Sequence, residues 1–431
     1  MGDAARKGRA PFSSRAPARF FSPCPLCYKE QNRAEGIPDM TQPPEDEKNA
    51  AGNARHLAEQ PRRVPLAAKV LVALVAVLAV AALAGWAWLS GVERSMRVDE
   101  EQQAELDEAL SSPEPALTDA PEPFYVLLIG SDARKGDTVS RSDTIMLARV
   151  DIAGGAVSLV SIPRDTMIYS ESGYVEKINA EYNYGPAATV RAVSEFAGVD
   201  IAHYIEINFE GLKDVVDALG GITVDIPEDI DDAKAKLTIS AGEQVLDGAT
   251  ALKYARARYS VTGGDFGRAQ AQRQVAEAIA REVLASSPME LPGVIAELAE
   301  SVKTDLSVAD IVSYALGLQG LEGSLDVYSA TAPSYAYDEG GVSYVATMYD
   351  EWRAMMQRMD AGLDPADEDA VVPAEQLADE RLGAATNAAG PRDYAYLAET
   401  SALTTDDVAA ADEADDASET SQLPSAEPSA E

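Results

Sequence analysis

Residues 124–166 read FYVLLIGSDARKGDTVSRSDTIMLARVDIAGGAVSLVSIPRDT, and the fold is decided there. Within this stretch, 124–129, 144–150 and 157–162 are short, β-branched-rich apolar runs bounded by Gly, Ser, Asp and Pro, the pattern of buried strands. A hairpin through Asp151 to Gly155 would make the sheet mixed rather than purely parallel. Working outward, 204–207 and 222–224 read as further strands. Helical spacing marks 187–196, 209–219, 249–257, 269–284 and 308–316, with Gly220 and Gly221 as a helix stop. Strands interleaved with helices predict an α/β layered domain, a central mixed β-sheet flanked by helices.

Before this domain the run 70–89 is uncharged and rich in Val, Leu and Ala, about 20 residues and long enough to cross a hydrocarbon core as one transmembrane helix. Arg62, Arg63 and Lys69 precede it, and Trp86 and Trp88 sit at its far end. The positive-inside rule then places the N-terminus in the cytoplasm and the domain outside, a single-pass protein of the cell membrane. Ala82-Leu83-Ala84 resembles a signal-peptide cleavage site, but apolar regions of signal peptides run only ~7–15 residues.

The expected division is a disordered cytoplasmic segment over 1–63, a transmembrane signal anchor over 64–90 and an extracytoplasmic stalk over 91–122. The folded domain follows over 123–362, and an acidic Ala, Asp, Glu, Ser and Pro-rich tail over 363–431. The tail buries too little apolar surface to offset its ordering entropy, which predicts disorder. Met40 opens an ordinary acidic N-terminus, so 1–39 reads as a start-site artefact.

The chain has 431 residues, 46% of them hydrophobic, enough for a substantial core. Its formal net charge of −37 excludes a protein that coats nucleic acid, because 35 basic residues face 72 acids. Any polyanion site must be a local concentration of arginine. Cys24 and Cys27 lack the second ligand pair of a metal site and the βαβ context of a redox motif. His56 and His203 each stand alone, which disfavours a histidine triad or a zinc site. No P-loop or GxGxxG pattern opens a helix.

The residues fit for chemistry gather at segment ends. Asp132 with Arg134, and Arg141 with Asp143, flank the first two strands at edges where α/β sheets bind ligands. Two carboxylates on neighbouring loops are hard oxygen ligands suited to Mg²⁺, although Asp132 equally reads as a turn cap. Pro163 stops the third strand and sets Arg164 and Asp165 at its mouth. Arg256 and Arg258 cannot share a helical face, but would converge if the helix ends there and the chain extends. Asp265 and Arg268 follow at a helix start. Arginine's planar fork matches phosphate oxygens bidentately, which points to a phosphate-bearing ligand; solvated surface ion pairs are the plain alternative.

The motifs LLIGSDAR, RSDT, SIPRDT, KINAEYNYG, VVDALGGITVDIP, LDGATALKYARAR and DFGRAQAQRQ, in that order over 124–285, resemble the LytR-CpsA-Psr family. The resemblance implies a mixed sheet between helices and a deep apolar channel for a polyprenyl chain, lined from helices such as 209–219 and 269–284. It implies a membrane-anchored extracytoplasmic phosphotransferase. Such an enzyme moves a glycopolymer, such as teichoic acid or capsular polysaccharide, from a polyprenyl pyrophosphate carrier to peptidoglycan.

By motif, Asp132 and Asp143 would hold Mg²⁺, with Mn²⁺ as a substitute. Arg141, Arg164, Arg256 and Arg258 would bind the pyrophosphate, and Arg268 and Gln272 would complete the polar shell. Asp265 would orient substrate or act as a base, and joins Asp132, Asp143 and Arg164 in the expected catalytic set. A hydrolase that releases phosphate from the lipid carrier is the alternative, ahead of a non-catalytic envelope regulator. The chain departs from the family at Ala271, where members carry Arg, so that either the neighbouring Arg273 substitutes or one phosphate contact is missing, and at Gly185-Pro186, where Gly-Gly is usual and the proline would stiffen the rim of the site.

Overall fold

The computed structural model describes residues 66–111, 122–131, 142–258, 264–321, 325–397 and 402–403. Helix α1 (Leu66–Met96) is followed by α2 (Glu100–Ala109), then strands β1 (Phe124–Ser131), β2 (Ser142–Asp151) and β3 (Ala156–Ser161). A small hairpin of β4 (Met167–Tyr169) and β5 (Val175–Lys177) leads through a 3-10 helix (Ile178–Tyr184) into α3 (Pro186–Ala197). Next come β6 (Ile201–Asn208), α4 (Phe209–Ala218), β7 (Ile222–Ile226), β8 (Ile230–Asp232), β9 (Leu237–Ile239) and β10 (Gly242–Leu246). Helices α5 (Gly248–Tyr254), α6 (Asp265–Ala285) and α7 (Leu291–Leu298) precede β11 (Val302–Thr304) and α8 (Val308–Gln319). The last elements are β12 (Asp326–Thr331), β13 (Ser334–Glu339), β14 (Val342–Thr347), α9 (Tyr349–Asp360), α10 (Ala374–Ala378) and β15 (Ala402–Leu403).

The main sheet runs β11-β6-β1-β2-β3-β12 and is mixed, as expected. β1, β2 and β3 are successive antiparallel neighbours, whereas β6 joins β1, and β12 joins β3, in parallel. The β2–β3 hairpin closes where the Asp151 side chain accepts the Gly154 N–H at 2.6 Å and Gly155 takes a φ of 70°. Alternation along β1 and β2 divides the core. Tyr125, Leu127, Ile129, Ile145 and Leu147 face a layer with α3 and α9, while Phe124, Val126, Met146 and Ala148 face α6 and α8. Both faces are apolar, so these strands are covered on both sides.

Local signals set the helix ends. The Asn208 and Asp247 side chains accept N–H groups of the first turns of α4 and α5, and Ser307 with Asp310 forms a capping box on α8. After α4 the chain takes φ values of 82° at Gly220 and 106° at Gly221, which end the helix as the sequence indicates.

Two expected segments differ. Over 91–111, the described part of the expected stalk, the chain is helical and packed: α1 continues to Met96, α2 follows after three residues, and Leu106 is fully buried in the main core. The tail is not disordered from residue 363. Leu382, Ala385, Ala388 and Tyr394 join the main core, the Asn387 side chain donates to the Ala192 carbonyl at 2.9 Å, and Gly383 N–H donates to Ala197 at 2.7 Å. The segment lies so close over Gly198 that a Cβ there would meet the Arg381 carbonyl at 1.6 Å. A few well-spaced apolar side chains laid into the groove between α3 and α9 order a stretch whose average composition is polar. The expected segment 1–63 lies outside the described residues, as does nearly all of the chain beyond residue 397.

Candidate active site

At the C-terminal edge of β3, Pro163 ends the strand and the Thr166 hydroxyl and N–H both donate to the Pro163 carbonyl, at 2.6 and 3.0 Å. This tight turn turns Arg164 back toward the start of β2. The Arg164 Nη1 donates to Asp143 Oδ1 at 2.6 Å, and the pair is mostly shielded from solvent. Asp165 in turn pairs with Lys177 Nζ at 2.9 Å. The 3-10 helix is tied to the same turn through Asn179 N–H donating to the Arg164 carbonyl at 3.1 Å.

Asp143, Ser161, Arg164 and Asp165 line one side of a polar recess of about 50 Å³, and Phe266, Arg268, Ala269 and Gln272 of α6 line the other. Arg268 and Gln272 are one turn apart and therefore share a helix face. Gln272 Nε2 also donates to the Ala255 carbonyl at 3.2 Å, which ties α6 to the end of α5.

Behind Gln272 and Thr144, which belong to both, lies an apolar cavity of about 300 Å³. Its walls come from β1, β2 and β6 and from two helices, Phe209 and Leu212 of α4 and Val275, Ala276, Ile279 and Ala280 of α6. These are the two helices from which the family resemblance implies a channel. A charged recess adjoining an apolar cavity suits an amphiphile with a polar head and an apolar tail.

The other sequence-marked residues fall as follows. Asp132 and Arg141 belong to 132–141 and lie outside the described residues, between the paired Ser131 and Ser142. Asp265 opens α6, but its side chain also lies outside the description. Arg256 and Arg258 are exposed with Ala257 buried between them, and the chain leaves α5 through a turn, with Arg256 N–H donating to Lys253 at 3.2 Å and Ala257 N–H to Tyr254 at 3.1 Å, rather than as the extended end on which their convergence depended. Neither lines the recess. The Arg256 guanidinium lies 4.5 Å from the Phe209 ring, at the cavity wall, and Arg258 N–H donates to Asp232 at 3.3 Å.

Of the two family departures, Ala271 is buried in the core formed by α5, α6 and β7 to β10. Arg273 does not replace a phosphate-facing arginine. It is buried, its Nη1 donates to Thr331 Oγ1 at 2.6 Å, and burial lowers its guanidinium to about 10 against the opposing effect of Glu277. Pro186 is the first residue of α3, where its missing N–H costs nothing; it starts a helix and does not line the recess.

Sequence reasoning passed over the buried carboxylate of Glu206. It accepts the Ser131 hydroxyl at 2.7 Å and the Tyr204 hydroxyl at 2.9 Å, and Tyr182 also donates to it. It thus anchors the root of the 132–141 segment. Tyr182 lies in the KINAEYNYG motif, which was the available signal. Its neighbour Glu181 is buried with Oε1 lacking a partner. Desolvation, reinforced by Glu176 and Glu171 and opposed by Arg191, pushes its carboxyl up to about 7.

A family model, that of the LytR_cpsA_psr family, matches residues 88–361, more than half of the chain. A polyisoprenyl-teichoic acid–peptidoglycan teichoic acid transferase TagU of Enterococcus faecalis is 34% identical over 228 residues, covering 52% of this chain and 74% of that protein. The protein of the same name from Bacillus cereus is 38% identical over 191 residues, covering 43% of this chain and 61% of its own length, so less than two thirds of that relative is matched. Among solved structures, protein gbs0355 of Streptococcus agalactiae superposes with a TM-score of 0.52 at 24% identity, covering 64% of this chain and 95% of that one. That likeness concerns the fold alone.

Proposed function

This chain belongs to the LytR_cpsA_psr family, and on that premise we propose that it is a membrane-anchored transferase that moves a glycopolymer from a polyprenyl pyrophosphate carrier to peptidoglycan. The observation that carries the reading is that the arginine-bearing recess and the apolar cavity adjoin, sharing Gln272 and Thr144 as wall residues. The cavity suits the first part of a polyprenyl tail, and the recess suits the charged groups of a pyrophosphate at its head. The name of the E. faecalis relative supports the same donor and acceptor classes.

In the reaction a sugar hydroxyl of peptidoglycan attacks the phosphorus that bears the glycan. The new O–P bond forms as the bond to the bridging oxygen breaks; polyprenyl phosphate leaves with the electron pair, and the hydroxyl proton passes to a base. Little covalent chemistry falls to the protein in such a step, and charge neutralisation with in-line positioning dominates. Arg164 and Arg268 neutralise the pyrophosphate from opposite sides of the recess, and Gln272 fixes the junction between head and tail. Arg256, against Phe209 at the cavity wall, and Arg258 two residues on would receive the outer part of the head, with Arg141. Asp265 is the candidate base or orienting group. The apolar walls exclude water, which otherwise competes with the acceptor.

A divalent cation fits the donor set. The Asp143 carboxylate lines the recess with Oδ1 held by Arg164 and no hydrogen bond to Oδ2 among the described residues, and Mg²⁺ needs only one or two carboxylates beside substrate phosphates. Asp143 and Asp132 would hold Mg²⁺, or Mn²⁺ in its place, which would withdraw charge from the phosphoryl oxygens.

One helix among the described residues, Val75–Met96, is long and apolar enough to cross a membrane, and the basic residues before it favour a cytoplasmic N-terminus with the domain outside. The test is to incubate the full chain with a polyprenyl-pyrophosphate glycan, peptidoglycan oligomers and Mg²⁺, then to seek a phosphodiester-linked adduct by mass spectrometry. An adduct that disappears with Asp143→Ala or with EDTA is expected. Free glycan phosphate without adduct would replace the transferase with a hydrolase.

A further inference from the structure

Where the sequence predicts a stalk, the structure has a joint. Leu89, Val92 and Met96, spaced along one face of α1, pack with Ile295 and Ala299 at α7 and with Val308, Ile311 and Val312 of α8. Met96 is 2% exposed, as a core residue would be. Lys303 Nζ caps the end of the helix, donating to the carbonyls of Ser95 at 2.6 Å and Arg97 at 3.3 Å, where a cation also suits the helix dipole. The apolar helix therefore enters the domain without a flexible link.

Helix geometry limits how far from the bilayer this joint can lie. The uncharged run 70–89 is about 30 Å long at 1.5 Å per residue, enough to fill the hydrocarbon layer, so Leu89 marks its outer boundary. Met96 is then only about 10 Å beyond it. The headgroup region on one side of a bilayer is roughly 5–8 Å deep, so the contacts of α7 with Val92 and Met96 fall in or just above that layer.

The side of the domain near this joint is also the tail end of the cavity. Ile279 and Ala280 lie about 12 Å along α6 from Gln272 at the recess. Beyond them α6 ends, Gln319 of α8 donates to the Leu284 and Ser286 carbonyls, and a tight turn closed by Ser287 and Glu290 carries Met289, 93% exposed, directly into α7. α4, the other helical wall, also lies against this region: a Cβ at Gly211 would meet the Ser301 carbonyl at 2.6 Å.

We propose that α1 is a rigid strut that seats the domain on the lipid headgroups through α7 and the turn at Met289, so that the tail end of the cavity faces the bilayer. This rests on the reading of α1 as a membrane anchor and of the cavity as a tail site. A cavity of about 300 Å³ holds only part of a long polyprenyl chain, and a seat of this kind lets the remainder stay in the membrane while the head reaches Arg164. The segment also carries Glu290, Glu297 and Glu300, so the contact rests on the helix joint and on Met289, and anionic lipid does not strengthen it.

The experiment uses the full chain in phosphatidylcholine–phosphatidylglycerol vesicles with Cys24 and Cys27, its two cysteines, changed to Ser. An environment-sensitive fluorophore is placed at Met289→Cys or, across the sheet, at Tyr174→Cys. Lipids spin-labelled at the headgroup should quench the label at 289 at least about threefold more than the label at 174, independent of phosphatidylglycerol content. Val92→Asp, which breaks the joint, should abolish that difference. It should also slow transfer from a bilayer-embedded long-chain carrier about tenfold while sparing a detergent-dispersed short-chain carrier. Equal, weak quenching at both positions in the unaltered joint would overturn the proposal. The quenching comparison does not depend on turnover, so failure of transfer with both carriers would count against the enzyme reading alone.

Discussion

Arg164 is the side chain on which the recess depends most, and its replacement separates chemistry from stability. It holds Asp143 at 2.6 Å and approaches Asp165 at 3.6 Å, with 24% of its side chain exposed. Removing one preorganised donor aimed at developing phosphoryl charge costs on the order of 10²–10³ in turnover, about 3–4 kcal/mol. The same change costs about 1 kcal/mol in folding, the upper end for an ion pair of this kind, because about a quarter or less of each side chain is exposed while Asp165 keeps Lys177. In a domain of this size that is a fall in Tm of about 2–4 °C. Arg164→Ala should therefore lower kcat for adduct formation about 100- to 1,000-fold with a nearly unchanged melting curve. Arg164→Lys keeps the charge but not the fork, and should recover about a tenth to a hundredth of wild-type activity. Adduct formation followed by mass spectrometry, with calorimetry on the same samples, reads both quantities. Wild-type turnover in Arg164→Ala, or a collapse in Tm matching the loss of activity, would refute the reasoning.

Other consequences are open to simpler assays. Ala276→Phe fills the cavity wall and should weaken carrier binding by about 2 kcal/mol, seen as a KM raised about 30-fold with kcat little changed; equal KM values would place the tail elsewhere. Because the Glu181 carboxyl sits at about 7 in the fold against 4.5 in the unfolded chain, the folded state binds the extra proton, and stability is full below about 4.5 and falls as pH rises through 7. Glu181→Gln should thus raise Tm at pH 8, by the equivalent of about 3 kcal/mol at most, and leave it unchanged at pH 4; a gain equal at both would show that the proton is not involved. Ending the chain at Gly362 removes Leu382, Ala385 and Tyr394 from the core and should cost several kcal/mol, lowering Tm by about 10 °C or more, whereas a dispensable tail would leave it unmoved.

The legible part of the fold was the part with strong periodicity. The apolar runs of β1 to β3 are buried on both faces and bounded by turn residues, so their limits were readable to within about two residues, as were α3 and α4 with their glycine and proline punctuation. Residues 364–397 were not, because their order comes from Leu382, Asn387 and Tyr394 fitting a groove built by distant elements, and a composition average carries no trace of that groove. The packing of 91–111 was hidden for a related reason: Leu106 and Met96 are isolated apolar residues in a polar stretch, and only the tertiary structure shows that each is buried. At the site, Asp143, Arg164, Arg268 and Gln272 come together as their motifs suggest. Arg256 ends against Phe209 at the cavity wall and Arg258 beside Asp232, neither in the recess, since the end of α5 is set by packing of Tyr254 and Ala257 that spacing alone cannot predict. Glu206 escaped notice because a single acid in a strand pattern looks solvated until its three hydroxyl donors are seen.

The most direct test is a structure of the protein bound to a short-chain polyprenyl pyrophosphate. The tail is predicted between α4 and α6, against Leu212, Val275 and Ile279, with the pyrophosphate in contact with Arg164 and Arg268. A head group bound away from Arg164, or a tail lying outside this cavity, would contradict the account.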